Sequence, residues 1–269
     1  MSPRRAVVLC LALGLTAAAS WTAWHFRDRL SGLTPPSRHS VLKDRGEAER
    51  QKAEQQWADY DAARTATEKL RTDLARRWQT APAAEKPAVI REAAAAFTDA
   101  IAKNLAPFWY GTKWDYNGTT ETPREGCIAC GYFVSTLMKH AGLKVERVRL
   151  AQQASQNIIL TLTAAPHLHK GHSLPLEEFV SKIKALGPGL SIVGLDNHVG
   201  ILWHDGTELW FLHSTVAETG DVIKERASES RVLANSKYRI AGQITADARL
   251  IEAWLTARPL PTHQPPPRS

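Results

Sequence analysis

Two apolar runs joined by an Asp-Gly pair constrain this chain more than any other feature. Residues 195–214 read LDNHVGILWHDGTELWFLHS, with Asp205 and Gly206 between the runs. A two-residue type I′ turn needs positive φ at both central positions, and Asp-Gly is a favoured pair there. Such a turn sets His198 directly opposite His213. Opposed residues share one sheet face with Cβ atoms about 4.5–5.5 Å apart, so the sequence predicts two adjacent imidazoles.

A cysteine upstream of this hairpin lies where a helix is predicted to begin. The apolar residues after Cys130 follow i, i+3, i+4 spacing, and Gly142 is placed to end the helix. These residues are Phe133, Val134, Leu137, Met138 and Ala141. A helix N-terminus and a nearby imidazole both favour a thiolate, so we expect the pKa of Cys130 to be lowered. This arrangement predicts Cys130 as nucleophile, His198 as general base and His213 as the residue that orients His198.

Each of these residues also has a purely structural explanation. A cysteine on an apolar helix face is most often a small buried hydrophobe. A histidine that points inward from a strand is most often a hydrogen-bonded core residue. The functional hypothesis therefore depends on the three side chains meeting in one place.

An aromatic, turn-rich stretch precedes the cysteine and is typical of a binding loop. It contains Trp109, Trp114 and Tyr116, which we expect to line the substrate groove. The backbone N–H of Cys130 is a candidate oxyanion donor, and Tyr116 could supply a second. This chemistry requires no metal and no other cofactor, and we expect neither.

The order of elements between residues 107 and 257 predicts an α+β domain, with the Cys130 helix packed on an antiparallel sheet. Strands are predicted at 145–150, at 190–195, around His198 and His213, and within 231–244. Helices are predicted at 175–186 and 246–257, and residues 152–163 fit either a helix or a strand.

The N-terminus has the composition of an export signal. Arg4 and Arg5 precede an apolar run at 6–24, and the three alanines at 17–19 resemble a signal-peptidase site. The run is also about as long as a short membrane helix. Residues 1–26 are therefore predicted to be a signal peptide or a membrane anchor. We favour the anchor and expect the protein in the cell envelope, on the extracytoplasmic side.

Three further segments surround the predicted domain. Residues 27–40 contain a Pro-Pro pair and are predicted to be a linker. Residues 41–106 are predicted to form a helical stalk or a brace packed on the domain; alternatively, they could bind a protein partner. Residues 258–269 are Pro-rich and are predicted to be disordered.

The net charge of +7 over 269 residues suits anionic surroundings such as membrane surfaces or cell-wall polymers. The basic residues are spread along the chain, and no nucleic-acid-binding motif is present. We therefore expect no nucleic-acid partner.

Two smaller groups of residues leave other chemistry open. Cys127 and Cys130 have C-x-x-C spacing, which could form a disulfide or a redox pair, although the expected β-α-β context is missing. His167, His169 and His172 could bind zinc or copper, although their spacing matches no known structural zinc pattern.

Five short motifs between residues 108 and 214 occur in a specific order. They are WDYNG at 114–118, CGYFV at 130–134, PGL at 188–190, HVGIL at 198–202 and LHS at 212–214. In this order they resemble the NlpC-type cell-wall cysteine peptidases. That family carries an aromatic and Gly-rich stretch, then D-C-S-G-F-V, P-G-D, H-V-G-I-Y and I-H-A.

The resemblance implies a papain-like fold with Cys130, His198 and His213 as a catalytic triad. It further implies cleavage of an amide bond in peptidoglycan peptides. Ala129 stands where the family usually has Asp, Gly131-Tyr132 replaces Ser-Gly, and the preceding loop is longer. These departures predict a divergent member of the family.

Two alternative functions are compatible with the same residues. The fold could act as an amidase or acyltransferase on another substrate, because acyl transfer uses the same acyl-enzyme. The chain could also be a catalytically silent envelope scaffold that binds cell-wall peptides, or a protein partner through residues 41–106.

Overall fold

The structure is a computed structural model that describes residues 47–217 and 219–264, with side chains described from residue 51. The predicted export segment at 1–26 and the predicted linker at 27–40 lie outside the described residues. No helix within the described ranges has the length and hydropathy needed to cross a membrane.

A six-stranded antiparallel sheet forms the centre of the described chain, and with the surrounding helices it confirms the predicted α+β class. Its strands are β1 (Leu168–Lys170), β2 (Gly189–Gly194), β3 (Val199–His204), β4 (Leu209–Ser214), β5 (Val222–Arg226) and β6 (Ile240–Gln243). The order across the sheet is β1-β6-β2-β3-β4-β5. Sequence reasoning missed the two edge strands, β1 and β5.

Helices cover the sheet and extend beyond it. They are α1 (Glu47–Thr80), α2 (Lys86–Asp99), α3 (Ala106–Trp109), α4 (Cys130–His140), α5 (Arg147–Ala151), α6 (Ser155–Leu162), α7 (Leu176–Lys184), α8 (Arg231–Asn235) and α9 (Ala248–Leu255). A π-helix at Ala100–Leu105 joins α2 to α3, and single 3₁₀ turns lie at Ala165–His167, Ala227–Glu229 and Ile244–Ala246.

Both faces of the sheet are buried, and β3 is buried at every position. On one face, Ile201 and Leu212 pack with Leu137 of α4. On the other face, Leu202 packs with Phe179 of α7 in a second apolar cluster. Burial on both sides explains why β3 is a nearly continuous apolar run rather than an alternating one.

The N-terminal helices pack as a brace on the rest of the described chain. Tyr60 of α1 and Phe97 of α2 are fully buried in the same core as Trp254 of α9. Arg71 of α1 donates hydrogen bonds to the carbonyl oxygens of Trp254 and Leu255, at 3.1 and 2.9 Å. These buried charge-assisted bonds fix α1 against the end of α9.

The hairpin loop has four residues, so the predicted two-residue turn is wrong. His204 pairs with Leu209, which leaves residues 205–208 in the loop. The Asp205 carboxylate accepts hydrogen bonds from the backbone N–H groups of Thr207 and Glu208, at 2.8 and 2.7 Å. Because its side chain caps the loop in this way, Asp205 specifies a wider connection than the Asp-Gly pair alone suggests.

The predicted strand at 145–150 is also wrong, because most of it belongs to α5. Arg147 is buried there and donates hydrogen bonds to the carbonyl oxygens of Thr119 and Thr120, at 2.8 and 2.9 Å. The ambiguous segment at 152–163 contains helix α6, and the segment at 231–244 contains α8 followed by a single strand, β6.

The C-terminal segment is packed as far as residue 263, although disorder was predicted from residue 258. The N–H of Leu260 donates to the carbonyl oxygen of Lys144 at 2.9 Å. The N–H of His263 donates to the Thr161 hydroxyl, also at 2.9 Å. Leu260 is buried, so apolar packing supplements these bonds.

Candidate active site

Cys130 is the first residue of α4, as the sequence predicts. Ala129 before it is extended, and its carbonyl accepts the N–H of Phe133 at 2.9 Å, which closes the first helical turn. A Cβ at Gly131 would collide with the carbonyl oxygen of Ala151. Glycine is therefore required beside Cys130, because the start of α4 lies directly against the end of α5.

The thiol of Cys130 lies among backbone donors. The N–H groups of Val199, Gly131 and Cys130 itself hydrogen-bond its sulfur and act to lower its pKa. Burial outweighs these bonds, and the pKa of Cys130 is raised above its ordinary value. The predicted lowering of this pKa is therefore wrong, because the depth of burial could not be read from the sequence.

The two predicted histidines meet, although not by the predicted register. His198 Nε2 and His213 Nδ1 are 3.0 Å apart, with the rings nearly perpendicular at 80°. The wider loop shifts the strand pairing by two residues, which sets Gly200, not His198, across from His213. A shift of two residues leaves every side chain on its original face, so the imidazoles meet diagonally.

Gly200 makes this diagonal contact possible. A Cβ at Gly200 would overlap the ring of Phe211 and would lie 3.0 Å from the Cβ of His213. Any residue larger than glycine at position 200, within the H-V-G-I motif, would therefore displace His213 or Phe211. The His213 ring stacks on Phe211 with centroids 3.9 Å apart, and this stacking fixes its plane.

A carboxylate that the sequence analysis did not identify completes the chain of contacts. Glu225 Oε1 lies 3.1 Å from His213 Nε2. His213 is fully buried, and Glu225 is half-buried on β5. The available signal was Gly220-Asp221, a turn pair directly before the β-branched residues that begin β5. We call Glu225, His213 and His198 the cleft network.

The charge states of the cleft network follow from its surroundings. Burial, reinforced by the neighbouring His213, lowers the pKa of His198 to about 3. Burial also lowers the pKa of His213, against the opposing effect of Glu225. Burial would raise the pKa of Glu225, but hydrogen bonds from His213 and Ser230 outweigh it and lower that pKa. Both imidazoles are therefore neutral near pH 7, and Glu225 is ionised.

Cys130 and His198 line one cleft with two lobes. The larger lobe has a volume of about 900 Å³ and the smaller one about 260 Å³. Aromatic and uncharged polar side chains line the larger lobe: Trp114, Tyr116, Asn117, Thr119, Tyr132, Gln152, Gln153, Asn197 and Thr215. The smaller lobe lies beside the thiol against Ala154, Ser155 and Ile158.

Of the three predicted groove aromatics, two line the cleft and one does not. Trp114 is half-buried in the larger lobe, and Tyr116 at its rim is 80% exposed. Trp109 is fully buried, and its indole N–H donates to the hydroxyl of Tyr60 at 2.8 Å. The expectation that Trp109 contacts substrate is therefore corrected, because its side chain offers no surface to a ligand.

A second chain of contacts, which we call the brace network, surrounds another histidine. Glu121 Oε2 lies 3.2 Å from His140 Nε2, and His140 Nδ1 lies 2.9 Å from the hydroxyl of Tyr60. Trp109 ends this network, inside the core. Burial, reinforced by the charge of Arg64, lowers the pKa of His140 to about 4.

Neither cysteine of the C-x-x-C pair is in a disulfide: Cys127 and Cys130 are both free thiols. Burial raises the pKa of Cys127 as well. Across residues 47–217 and 219–264, no three His, Cys, Asp or Glu side chains group closely enough to hold a metal ion. His172, one of the three loop histidines, packs on the ring of Tyr238 with centroids 4.7 Å apart.

Comparison with protein-family models, with curated proteins and with solved structures gave no match. The functional assignment therefore rests on the residues of the cleft.

Proposed function

We propose that this chain is a papain-like cysteine hydrolase that cleaves an amide bond in peptidoglycan peptides. The observation that carries the proposal is the convergence of two independent features on one cleft. The first is a thiol at the start of an eleven-residue helix. The second is a buried carboxylate–imidazole–imidazole network that ends at the same cleft.

The proposed reaction uses Cys130 as nucleophile and His198 as the proton carrier. The sulfur forms a bond to the substrate carbonyl carbon while His198 accepts the thiol proton. His198 then donates that proton to the amide nitrogen as the C–N bond breaks, which releases an amine and leaves a thioester. Water, deprotonated by His198, hydrolyses the thioester, and the thiol regains its proton. The N–H of Cys130 is the first proposed oxyanion donor.

The resting state of this pair is a neutral thiol beside a neutral imidazole. The pKa of Cys130 is raised by burial and the pKa of His198 is lowered by it, so an ion pair does not form in advance. Proton transfer should therefore accompany the attack on the carbonyl. The backbone N–H groups around the sulfur would then stabilise the negative charge that develops on the sulfur as its proton leaves.

The lining of the cleft supports a peptide substrate with an uncharged segment. Trp114, Tyr116 and Tyr132 offer aromatic faces, and the neighbouring amide and hydroxyl side chains can pair with peptide groups. The motif order shared with NlpC-type peptidases is what favours a peptidoglycan peptide over other amides. A substrate of this kind lies outside the cytoplasm, which agrees with the export character of residues 1–26.

Release of amines from purified peptidoglycan tests this proposal. The chain from residue 41 would be incubated in reducing buffer with purified peptidoglycan, beside its Cys130→Ala and Cys127→Ala variants. We expect new amines and soluble fragments from the parent and from Cys127→Ala, and none from Cys130→Ala. Mass spectrometry of the fragments would identify the bond.

Other outcomes of this experiment would change the proposed function or its substrate. If the parent and Cys127→Ala release no amines from peptidoglycan or from other peptide amides, the hydrolase proposal fails and the scaffold alternative gains support. Resistance of Cys130 to iodoacetamide does not decide between the two, because a buried thiol with a raised pKa is expected to react slowly. If other amides are cleaved but peptidoglycan stays intact, the hydrolase proposal stands and the substrate is wrong.

A further inference from the structure

We infer that Glu225 is a positioning residue that selects which ring nitrogen of His198 is free to accept a proton in the cleft. The inference rests on the proposed function, because it concerns the same base. It assigns a role to a residue that neither the motifs nor the predicted triad includes.

The first step concerns His213 and its carboxylate partner. An ionised carboxylate can only accept hydrogen bonds. Glu225 Oε1 is 3.1 Å from His213 Nε2, so that nitrogen must carry the hydrogen. His213 is neutral because burial lowers its pKa. Its other nitrogen, Nδ1, is therefore a lone pair.

In the second step, the position of the hydrogen on His213 determines the position of the hydrogen on His198. His213 Nδ1 lies 3.0 Å from His198 Nε2 and can only accept, so His198 Nε2 must donate. A neutral imidazole has one N–H, which leaves Nδ1 of His198 as the unprotonated nitrogen. Glu225, on β5, thereby determines that Nδ1 is the basic nitrogen of His198, which lies two strands away.

The opposite arrangement would block the base. With hydrogen on Nδ1, His213 would donate to His198 Nε2, and His198 would then carry its hydrogen on Nδ1. That nitrogen could not accept the thiol proton. A single misplaced hydrogen on His213 therefore inactivates His198 without moving any heavy atom.

The surroundings of Glu225 support a fixed role. Ser230, which is 1% exposed and caps the start of α8, hydrogen-bonds the Glu225 carboxylate. The hydroxyl and the imidazole together hold this carboxylate on the inner side of β5. The adjacent Lys224 and Arg226 are exposed, as strand alternation requires.

Nitrogen NMR of the histidine rings tests the inference without any need for turnover. The full chain in Cys130→Ala form, labelled with ¹⁵N-histidine, would be compared with the same protein carrying Glu225→Gln or Glu225→Leu. Long-range ¹H–¹⁵N correlations distinguish an Nε2–H ring from an Nδ1–H ring. Glu121→Gln, which alters the carboxylate beside His140, serves as the matched control.

We expect Nε2–H rings at His198 and His213 in the parent and in Glu121→Gln. Glu225→Gln should retain them, because its amide oxygen can still accept. Glu225→Leu should show a mixture or an Nδ1–H ring at His213, with an unchanged fold by circular dichroism. An Nδ1–H ring at His213 in the parent would overturn the inference, as would unchanged rings in Glu225→Leu.

Turnover of active protein gives the second readout. With Cys130 restored, Glu225→Leu should lower kcat by about 100-fold with KM little changed, and Glu225→Gln should recover most of that loss. A loss in Glu225→Leu that appears only in KM would contradict a role through the base. If the parent itself releases no amines, the proposed function fails, and the ring measurements still decide the role of Glu225.

Discussion

The cleft network and the brace network contain the same kinds of side chain but end in different surroundings. Each begins with a glutamate that contacts Nε2 of a buried histidine, at 3.1 Å in the cleft network and 3.2 Å in the brace network. In both, burial lowers the pKa of that histidine. The cleft network ends at the half-buried ring of His198, whereas the brace network ends at the fully buried indole of Trp109.

This difference shows that a buried, perturbed histidine is not by itself evidence of catalysis. What separates the two networks is the group at the end of each: His198 lines a cleft together with a thiol, and Trp109 is buried in the apolar core. Each network therefore provides an internal control for the other. Substitutions in the cleft network should change turnover, and substitutions in the brace network should change stability.

The largest expected effect is the loss of turnover in His198→Ala. Removal of a general base typically costs about 10²–10⁴-fold, so kcat/KM for amine release should fall by roughly 1,000-fold. The matched variant His140→Phe should keep kcat/KM within about threefold of the parent, measured near neutral pH. Comparable losses in both variants would show that the two networks cannot be separated in this way.

The two tryptophans of the aromatic stretch should respond in opposite ways. Trp109→Ala empties a fully buried site and should lower the free energy of unfolding by about 3–5 kcal/mol. Trp114→Ala removes a half-buried side chain of the cleft, and should raise KM with a much smaller effect on stability. Urea titration and steady-state kinetics on both variants would measure these effects. If KM rises in Trp109→Ala but not in Trp114→Ala, the placement of Trp109 in the core and Trp114 in the cleft is contradicted.

The brace network should also make stability depend on pH. The pKa of His140 falls from 6.5 to about 4 on folding, so the unfolded state binds more protons between those pH values. Stability is therefore lost as pH falls through this window, by up to about 3 kcal/mol from this group. His140→Phe should show a flatter stability curve between pH 6.5 and 4, and a curve parallel to that of the parent would refute the assignment.

The smallest expected effect comes from the hydroxyl that joins the brace network. Tyr60→Phe leaves the indole N–H of Trp109 and Nδ1 of His140 without this partner, at a cost of about 1–3 kcal/mol. Amine release should be unchanged at temperatures where the variant is folded. Thermal unfolding and hydrolysis assays would check both statements, and a loss of kcat without a loss of stability would contradict them.

The sequence predicted the contact between the two histidines of the cleft network, although it predicted the wrong strand register. The loop prediction was wrong by two residues, yet His198 and His213 still meet. The reason is that side chains alternate with a period of two along a strand. Local patterns also predicted the start of α4 at Cys130 and its end at Gly142, which adopts φ of +100°.

The parts that sequence reasoning missed depend on contacts between distant residues. Glu225 belongs to a short edge strand with weak alternation, and only the completed sheet brings it to His213. Trp109 and Trp114 belong to the same aromatic stretch, and the first is buried by residues distant in sequence, among them Tyr60 of α1 and Phe133 of α4. The raised pKa of Cys130 likewise depends on burial by several elements.

Detection of a thioester on Cys130 tests the central claim most directly. The protein would be mixed with peptidoglycan peptides, quenched in acid within seconds, and analysed by intact and peptide mass spectrometry. We predict an added mass equal to the acyl fragment, located on Cys130, and none in Cys130→Ala. Amine release with no adduct on Cys130, or with an adduct on Cys127 instead, would contradict the account.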